Sequence, residues 1–286
     1  MSLNGARVLL TGGTGFIGSH VAASLDAAKS DVRLLVRSTS SGTKLGPLWD
    51  KFPRVVADLG SPSSLAAAVK SVDPEYVIHL AKDREGSSFE REARATTALA
   101  AALGANAPSL KRWVRTAHAA SPSLGRGADA ELARSLAARF KVATTTLELM
   151  LVYGPGQNEG DHPRDLAEAA IAGKPVAAPG EEKDLVFVGD VAQAYLLAAQ
   201  SSKANGAWIP VGGGRLVAGL DAARAALKAA GRPVKDAHAP SETRAGGHPA
   251  DLKLAKELLG WSPSTTLDAG LARLVEWLKK GEARRG

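Results

Sequence analysis

Eight residues near the N-terminus constrain this chain most. An apolar strand-like run, residues 7–10, passes directly into Thr11-Gly12-Gly13-Thr14-Gly15-Phe16-Ile17-Gly18 and then into a helical pattern. Gly13, Gly15 and Gly18 satisfy G-x-G-x-x-G. The first glycine allows a tight turn, the second lets backbone approach a pyrophosphate, and the third lets the helix pack on the strand. The helix N-terminus then aims N–H groups and a positive dipole end at the phosphates. A glycine-rich structural turn has the same spelling. The strand–turn–helix setting at the first strand points instead to a dinucleotide, with Gly12, Thr14, Gly15, Phe16, Ile17 and Gly18 as its expected contacts.

The pattern continues as strands alternating with Ala-rich helices. Residues 7–10, 32–36, 54–57, 76–80, 112–115 and 144–152 read as strands, and 17–28, 63–70, 89–103 and 128–140 as helices. Such alternation builds βαβ units and a parallel sheet. From Gly154 the texture changes, and Pro and Gly separate shorter elements. The end of the second strand bears on which dinucleotide is held. Binders of NAD usually place an acid there for the ribose 2′-OH. Here Arg37 stands 19 positions after Gly18, with Ser38 and Thr39 beside it. Asp31 lies at the wrong end of the strand. A cation and two hydroxyls suit a 2′-phosphate, so NADP is expected over NAD. The plainer reading of Arg37 is a solvated strand end.

Composition removes several classes of function. Among 286 residues there is no cysteine, which excludes disulfides, a thiolate nucleophile and cysteine-held metal clusters. The six histidines, at 20, 79, 118, 162, 238 and 248, show no metal-ligand spacing, and no G-x-S-x-G elbow occurs. His79 reads as core. No apolar run is long enough to span a bilayer. The first strand-like run begins at Arg7, which leaves no room for a signal peptide, so a cytoplasmic location is expected. The net charge is +7, yet no basic cluster is interleaved with aromatics, so a basic site for a phosphorylated ligand is expected rather than nucleic-acid binding.

Six segments stand in a familiar order. They are the glycine turn, Asp58-Leu59, Val77-Ile78-His79-Leu80-Ala81, Val152-Tyr153-Gly154-Pro155-Gly156, Val186-Phe187-Val188-Gly189-Asp190-Val191-Ala192 and Leu258-Leu259-Gly260-Trp261-Ser262-Pro263. Together they resemble the extended short-chain dehydrogenase/reductase family, the NAD-dependent epimerase/dehydratase group that acts mainly on nucleotide sugars. The resemblance covers nearly the whole chain. It implies a doubly wound Rossmann sheet, formed by residues 1–156 and 184–212. A smaller α/β substrate domain would come from residues 157–183 and 213–286. It implies that Asp58 and Leu59 border the adenine, and that Leu80, Ala81 and Lys82 line the cofactor cleft. It places Thr116 near the nicotinamide ribose. Lys183 and Arg244 fall where the family holds a substrate pyrophosphate, although either could be a plain surface cation. A homodimer joined through helices 89–103 and 128–140 is also implied. Trp261 reads as core packing.

The chain departs from the family at its catalytic residues. Members normally carry a Ser or Thr and a Tyr-x-x-x-Lys pair, in which the tyrosine is the acid/base. The tyrosines here are Tyr76, Tyr153 and Tyr195, and Leu80, Gln157 and Ala199 stand four positions later. Only 35 residues separate His118 from Tyr153, little more than a strand–helix–strand unit needs. Ser123 and Gly127 fall where the pair belongs and His118 takes the serine position, so that either all three positions are substituted or a deletion displaces the alignment. Two readings stay open. In one, the site has been rebuilt around His118 at the end of the fifth strand, with the charged loop Lys82-Asp83-Arg84-Glu85 opening into the same crevice. The product would be an epimerase, dehydratase or reductase acting on a nucleotide sugar or similar phosphorylated compound. In the other, chemistry is lost and the chain is a dinucleotide-binding sensor, with His118 merely structural.

Overall fold

Each apolar run of the N-terminal half becomes a strand, and each Ala-rich stretch the helix that follows it. The computed structural model describes residues 2–81, 89–118 and 126–282. In chain order come β1 (Arg7–Thr11), α1 (Phe16–Ala27), β2 (Asp31–Val36), α2 (Leu48–Lys51), β3 (Arg54–Val56), α3 (Pro62–Val72), β4 (Tyr76–His79) and α4 (Phe89–Asn106). Then follow β5 (Arg112–His118), α5 (Arg126–Phe140), β6 (Thr144–Leu149), β7 (Leu151–Tyr153), α6 (His162–Ile171), β8 (Val176–Ala177), β9 (Glu181–Phe187) and α7 (Val188–Gln200). The chain continues with β10 (Trp208–Val211), β11 (Leu216–Val217), α8 (Gly219–Ala230), β12 (Ala237–His238), β13 (Arg244–Ala245) and α9 (Leu267–Glu282).

Seven strands form the main sheet in the order β10-β6-β5-β4-β1-β2-β3. β1 pairs in parallel with β2 and with β4, so Leu10 stands opposite both Leu34 and Ile78. The winding reverses at β1, which is the doubly wound order the sequence implies. Ligands of such sheets bind outside the C-terminal strand ends at that reversal. Val8, Leu9, Leu10, Val77 and Ile78 are fully buried, as strands covered on both faces require. Trp113 of β5 packs in one core with Leu65, Leu99, Leu103 and Leu136. Local rules set the helix ends. At α3, the Ser61 side chain accepts from Ser64 N–H, Pro62 opens the first turn, and Asp73 closes the helix at φ 42°.

The run 144–152, expected as one strand, is two. β6 keeps register with β5 as far as Leu149, opposite His118. Met150 N–H donates to Val211 O, and β7 then pairs with β9, Leu151 opposite Leu185. The chain divides at this point into two compact units. The first comprises Met1–Leu149, Ala192–Ile209 and Leu254–Trp261, and the second Met150–Val191, Pro210–Lys253 and Ser262–Gly286.

The second unit is organised around β9, which takes β7 and β13 in parallel and β11 antiparallel. Two buried carboxylates tie its loops. Asp184 accepts the N–H groups of Gly213, Gly214 and Ala250. Asp190 accepts both N–H and hydroxyl groups of Ser264 and Thr265. Bonds to an ionised acceptor are about twice as strong as neutral ones. Trp261 is buried in the first unit. Among the described residues no helix is long and apolar enough to cross a membrane.

Candidate functional site

The glycine turn is built by close backbone approach. Gly12 has φ +72°, and a Cβ there would lie 2.5 Å from Ala81 N and 2.6 Å from the Leu80 carbonyl carbon. At Gly18 a Cβ would overlap the Gly12 carbonyl oxygen and sit 2.8 Å from Gly13 Cα. The turn therefore lies directly on the backbone that follows β4, and the expected residues Gly12, Gly18, Leu80 and Ala81 meet in one place. Gly15 caps α1 in an extended conformation with no side-chain hydrogen bond, and no acidic residue occupies the first turn. The first N–H groups of α1, including those of Phe16 and Ile17, are thus left for an anion. A backbone cradle opened by glycine, facing an uncapped helix end, fits the pyrophosphate of a dinucleotide.

Side chains pin the strand ends beside this cradle. Thr11 is fully buried, and its Oγ1 lies 2.7 Å from His79 Nδ1. Ala81 N–H donates to the same oxygen at 3.3 Å. Burial pushes His79 down to about 3, with the Arg115 guanidinium a second cause. The ring is therefore neutral, and it shares a hydrogen bond with the Thr11 hydroxyl whose direction is set by the tautomer. Thr116, half-buried in β5, donates to His79 O at 2.8 Å. That uses its proton, so the Tyr195 hydroxyl, 2.6 Å away, is the donor to Thr116 Oγ1. Burial holds the Tyr195 phenol well above the usual range, as a neutral donor. The sequence named Thr116 but not Thr11 or Tyr195. No local signal marks Tyr195, which is 79 positions from Thr116.

Other expected contacts are placed as follows. Asp58 is exposed, and its Oδ1 accepts Gly60 N–H at 2.9 Å. Leu59 is half-buried against the core. Arg37 is exposed at the end of β2, and its N–H donates to Ser40 Oγ at 3.0 Å. Lys82, with the rest of the loop through Glu85, lies outside the described residues, as does Ser123. His118 closes β5 at its C-terminal end, and its side chain is outside the described set. Gly127 lies in the first turn of α5. This helix is anchored by a buried ion pair, Arg115 NH2 to Asp129 Oδ1 at 2.5 Å.

All three tyrosines are buried: Tyr76 1 %, Tyr153 2 % and Tyr195 0 % exposed. Burial also raises the Tyr153 phenol, with Asp190 adding to the effect. None of the tyrosines, all of them among the described residues, presents an exposed phenol.

In the second unit the two expected cations meet on one carboxylate. Lys183 Nζ lies 2.6 Å from Glu181 Oε2, and Arg244 NH2 lies 2.5 Å from Glu181 Oε1. The register of β13 on β9 sets Arg244 opposite Glu181, and the pleat puts Lys183 on the same face two residues on. Glu181 is held below the usual carboxylate range by Lys183 first and Arg244 second. A separate cavity of about 530 Å³, lined by Arg215, Val217, Arg224, Lys228 and Asp268 among others, contains none of the expected residues.

The sequence model of the NAD dependent epimerase/dehydratase family matches residues 8–110 and 128–212. A UDP-glucose 4-epimerase of Mycolicibacterium smegmatis is 26% identical over 317 aligned residues, covering 96% of this chain and 98% of that protein. The enzyme WbmF of Bordetella bronchiseptica, solved with NAD+ and UDP, superposes with a TM-score of 0.81 at 20% identity, over 99% of this chain and 95% of that one. The UDP-glucose 4-epimerase of Thermus thermophilus, solved with NAD, gives a TM-score of 0.75 at 24% identity, over 96% and 99%. These dinucleotides overturn the expectation of NADP drawn from Arg37. The physical reason lies in that residue's setting. One exposed guanidinium at a strand end, its charge screened by water, does not by itself make a 2′-phosphate pocket.

Proposed function

The chain belongs to the NAD dependent epimerase/dehydratase family, and on that premise we propose that it is an NAD-dependent enzyme acting on a nucleotide sugar or a similar phosphorylated compound. The observation that carries this reading is the glycine turn packed on Leu80 and Ala81 before the uncapped end of α1. Phe16, Ile17 and Gly18 offer N–H groups to the dinucleotide pyrophosphate, Thr14 and Gly15 shape the loop, and Asp58 and Leu59 border the adenine. Leu80, Ala81 and Thr116 flank the nicotinamide end, where Thr116 is oriented by Tyr195. When bound, NAD supplies a hydride acceptor. The remaining task for the protein is to move a proton on the substrate. With no accessible phenol, we assign that proton to His118, which lies at the C-terminal end of β5. Lys183 and Arg244 receive the substrate diphosphate. The first unit thus binds the dinucleotide and the second the substrate.

The burial of every tyrosine also favours a second reading, a dinucleotide-binding protein without turnover. Calorimetry with NAD, followed by assays on UDP-sugars, separates the two. NAD binding with slow turnover that His118→Ala lowers by about 10²–10⁴-fold, at unchanged NAD affinity, supports the enzyme. NAD binding with no turnover on any nucleotide sugar supports the sensor. Rapid turnover indifferent to His118→Ala would sink the assignment of His118. We further propose a cytoplasmic homodimer joined through α4 and α5. A monomeric mass at micromolar concentration in sedimentation would rule out the dimer.

A further inference from the structure

We propose that Glu181 is a built-in competitor for the anion that Lys183 and Arg244 receive, and so sets how much negative charge a ligand needs to be held there. The proposal rests on the reading of those two cations as the substrate's phosphate contacts. Glu181 uses both carboxylate oxygens, one on each cation, at 2.6 Å and 2.5 Å. Its O–C–O group therefore spans the gap between ammonium and guanidinium, and the O–P–O edge of a phosphoryl group has a similar bite. The cations are placed by backbone. Arg244 N–H donates to Gly180 O and Gly246 N–H to Glu182 O, both at 2.9 Å, which locks β13 to β9 on each side of the pair. Gly246 leaves room for the lysine, since a Cβ there would come within 2.9 Å of Lys183 Nζ. Glu181 itself is 36 % exposed, so its side chain can swing into water without moving either strand.

The consequence is a charge filter. With Glu181 in place the cluster carries a net charge of one, and without it two. A diphosphate brings more charge and more acceptor oxygens than the carboxylate it displaces. A neutral or singly charged ligand brings no such surplus. Exposed ion pairs are weak because water screens them, so removing the competitor should change affinity measurably but not drastically.

Calorimetry on the NAD-loaded protein, with UDP, UMP and uridine as probes, tests this. Glu181→Gln should tighten UDP about three- to tenfold, tighten UMP less, and leave uridine unchanged. Glu181→Ala should act in the same direction, which separates loss of charge from packing of the new side chain. Thermal melts of each variant establish that it is folded. If neither variant tightens UDP while Lys183→Ala weakens it, the competitor role is wrong and the cation reading stands. If uridine tightens as much as UDP, charge is not the cause and the proposal falls. If neither Lys183→Ala nor the Glu181 variants alter UDP binding, the cation reading fails and takes the proposal with it.

Discussion

The cradle at Gly12–Gly18 and the cation pair at Lys183 and Arg244 would both bind phosphate, by opposite means. The cradle is backbone, held against other backbone, and leaves N–H groups unspent. The cation pair is side chain, exposed, and already engaged by Glu181. A site of backbone has no competitor of its own, because the geometry that opens it also prevents the chain from closing it. A site of charged side chains can be neutralised by any neighbour of opposite sign.

The largest effect should come from filling the cradle. Gly18→Val places carbon atoms against the Gly12 carbonyl, and neither backbone segment has room to yield. NAD affinity should fall at least a thousandfold, about 4 kcal/mol, in calorimetry on folded protein. A loss under tenfold would mean the close approach at Gly18 is not needed for binding. The next effect contrasts a buried pair with an exposed one. Asp129→Ala leaves Arg115 charged and buried without its partner, and should cost about 3 kcal/mol in urea unfolding. Glu181→Gln, at the exposed pairs, should lower the urea midpoint far less, because water screens those charges. Similar losses at both positions would erase the distinction drawn here.

Acid gives a test of the cradle's surroundings. His79 is lowered to about 3 in the folded chain, from an ordinary 6.5. Between those values the unfolded chain holds a proton that the folded chain refuses. Stability from this group is therefore complete above about 6.5 and is lost as pH falls toward 3. Urea midpoints measured against pH should decline through that window, and His79→Phe should flatten part of the decline. An unchanged profile in the variant would show that His79 does not titrate differently on unfolding. A small effect, about 1 kcal/mol, is also expected of Tyr195→Phe, since Thr116 keeps its own bond to His79 O.

The same contrast explains what could be read from the sequence. The glycine turn announces itself because glycine is demanded wherever backbone meets backbone. The strand–helix alternation and the buried Trp261 were readable for similarly local reasons. The split at Met150 was not. Residues on either side of it are equally β-prone, and only pairing with β5 or with β9 tells them apart. Glu181 was not marked either, because its partner Arg244 is 63 positions away and meets it through the register of two short strands. Arg37, Ser38 and Thr39 spell a 2′-phosphate site in sequence, but the exposed Arg37 side chain shows how little a charge at a strand end builds.

The path of the chain between its two units bears on how it can be made. The first unit takes its last segment from Leu254–Trp261, and the second is interleaved with it from Met150 onward. During synthesis from the N-terminus, neither unit has all its parts until most of the chain has left the ribosome. The strand-rich N-terminal half must wait with β6 unpartnered on one side until β10 emerges. An unpaired strand edge of this kind is a template for wrong partners. Yield of folded protein should therefore depend on the speed of translation and on chaperone supply more than its equilibrium stability would indicate.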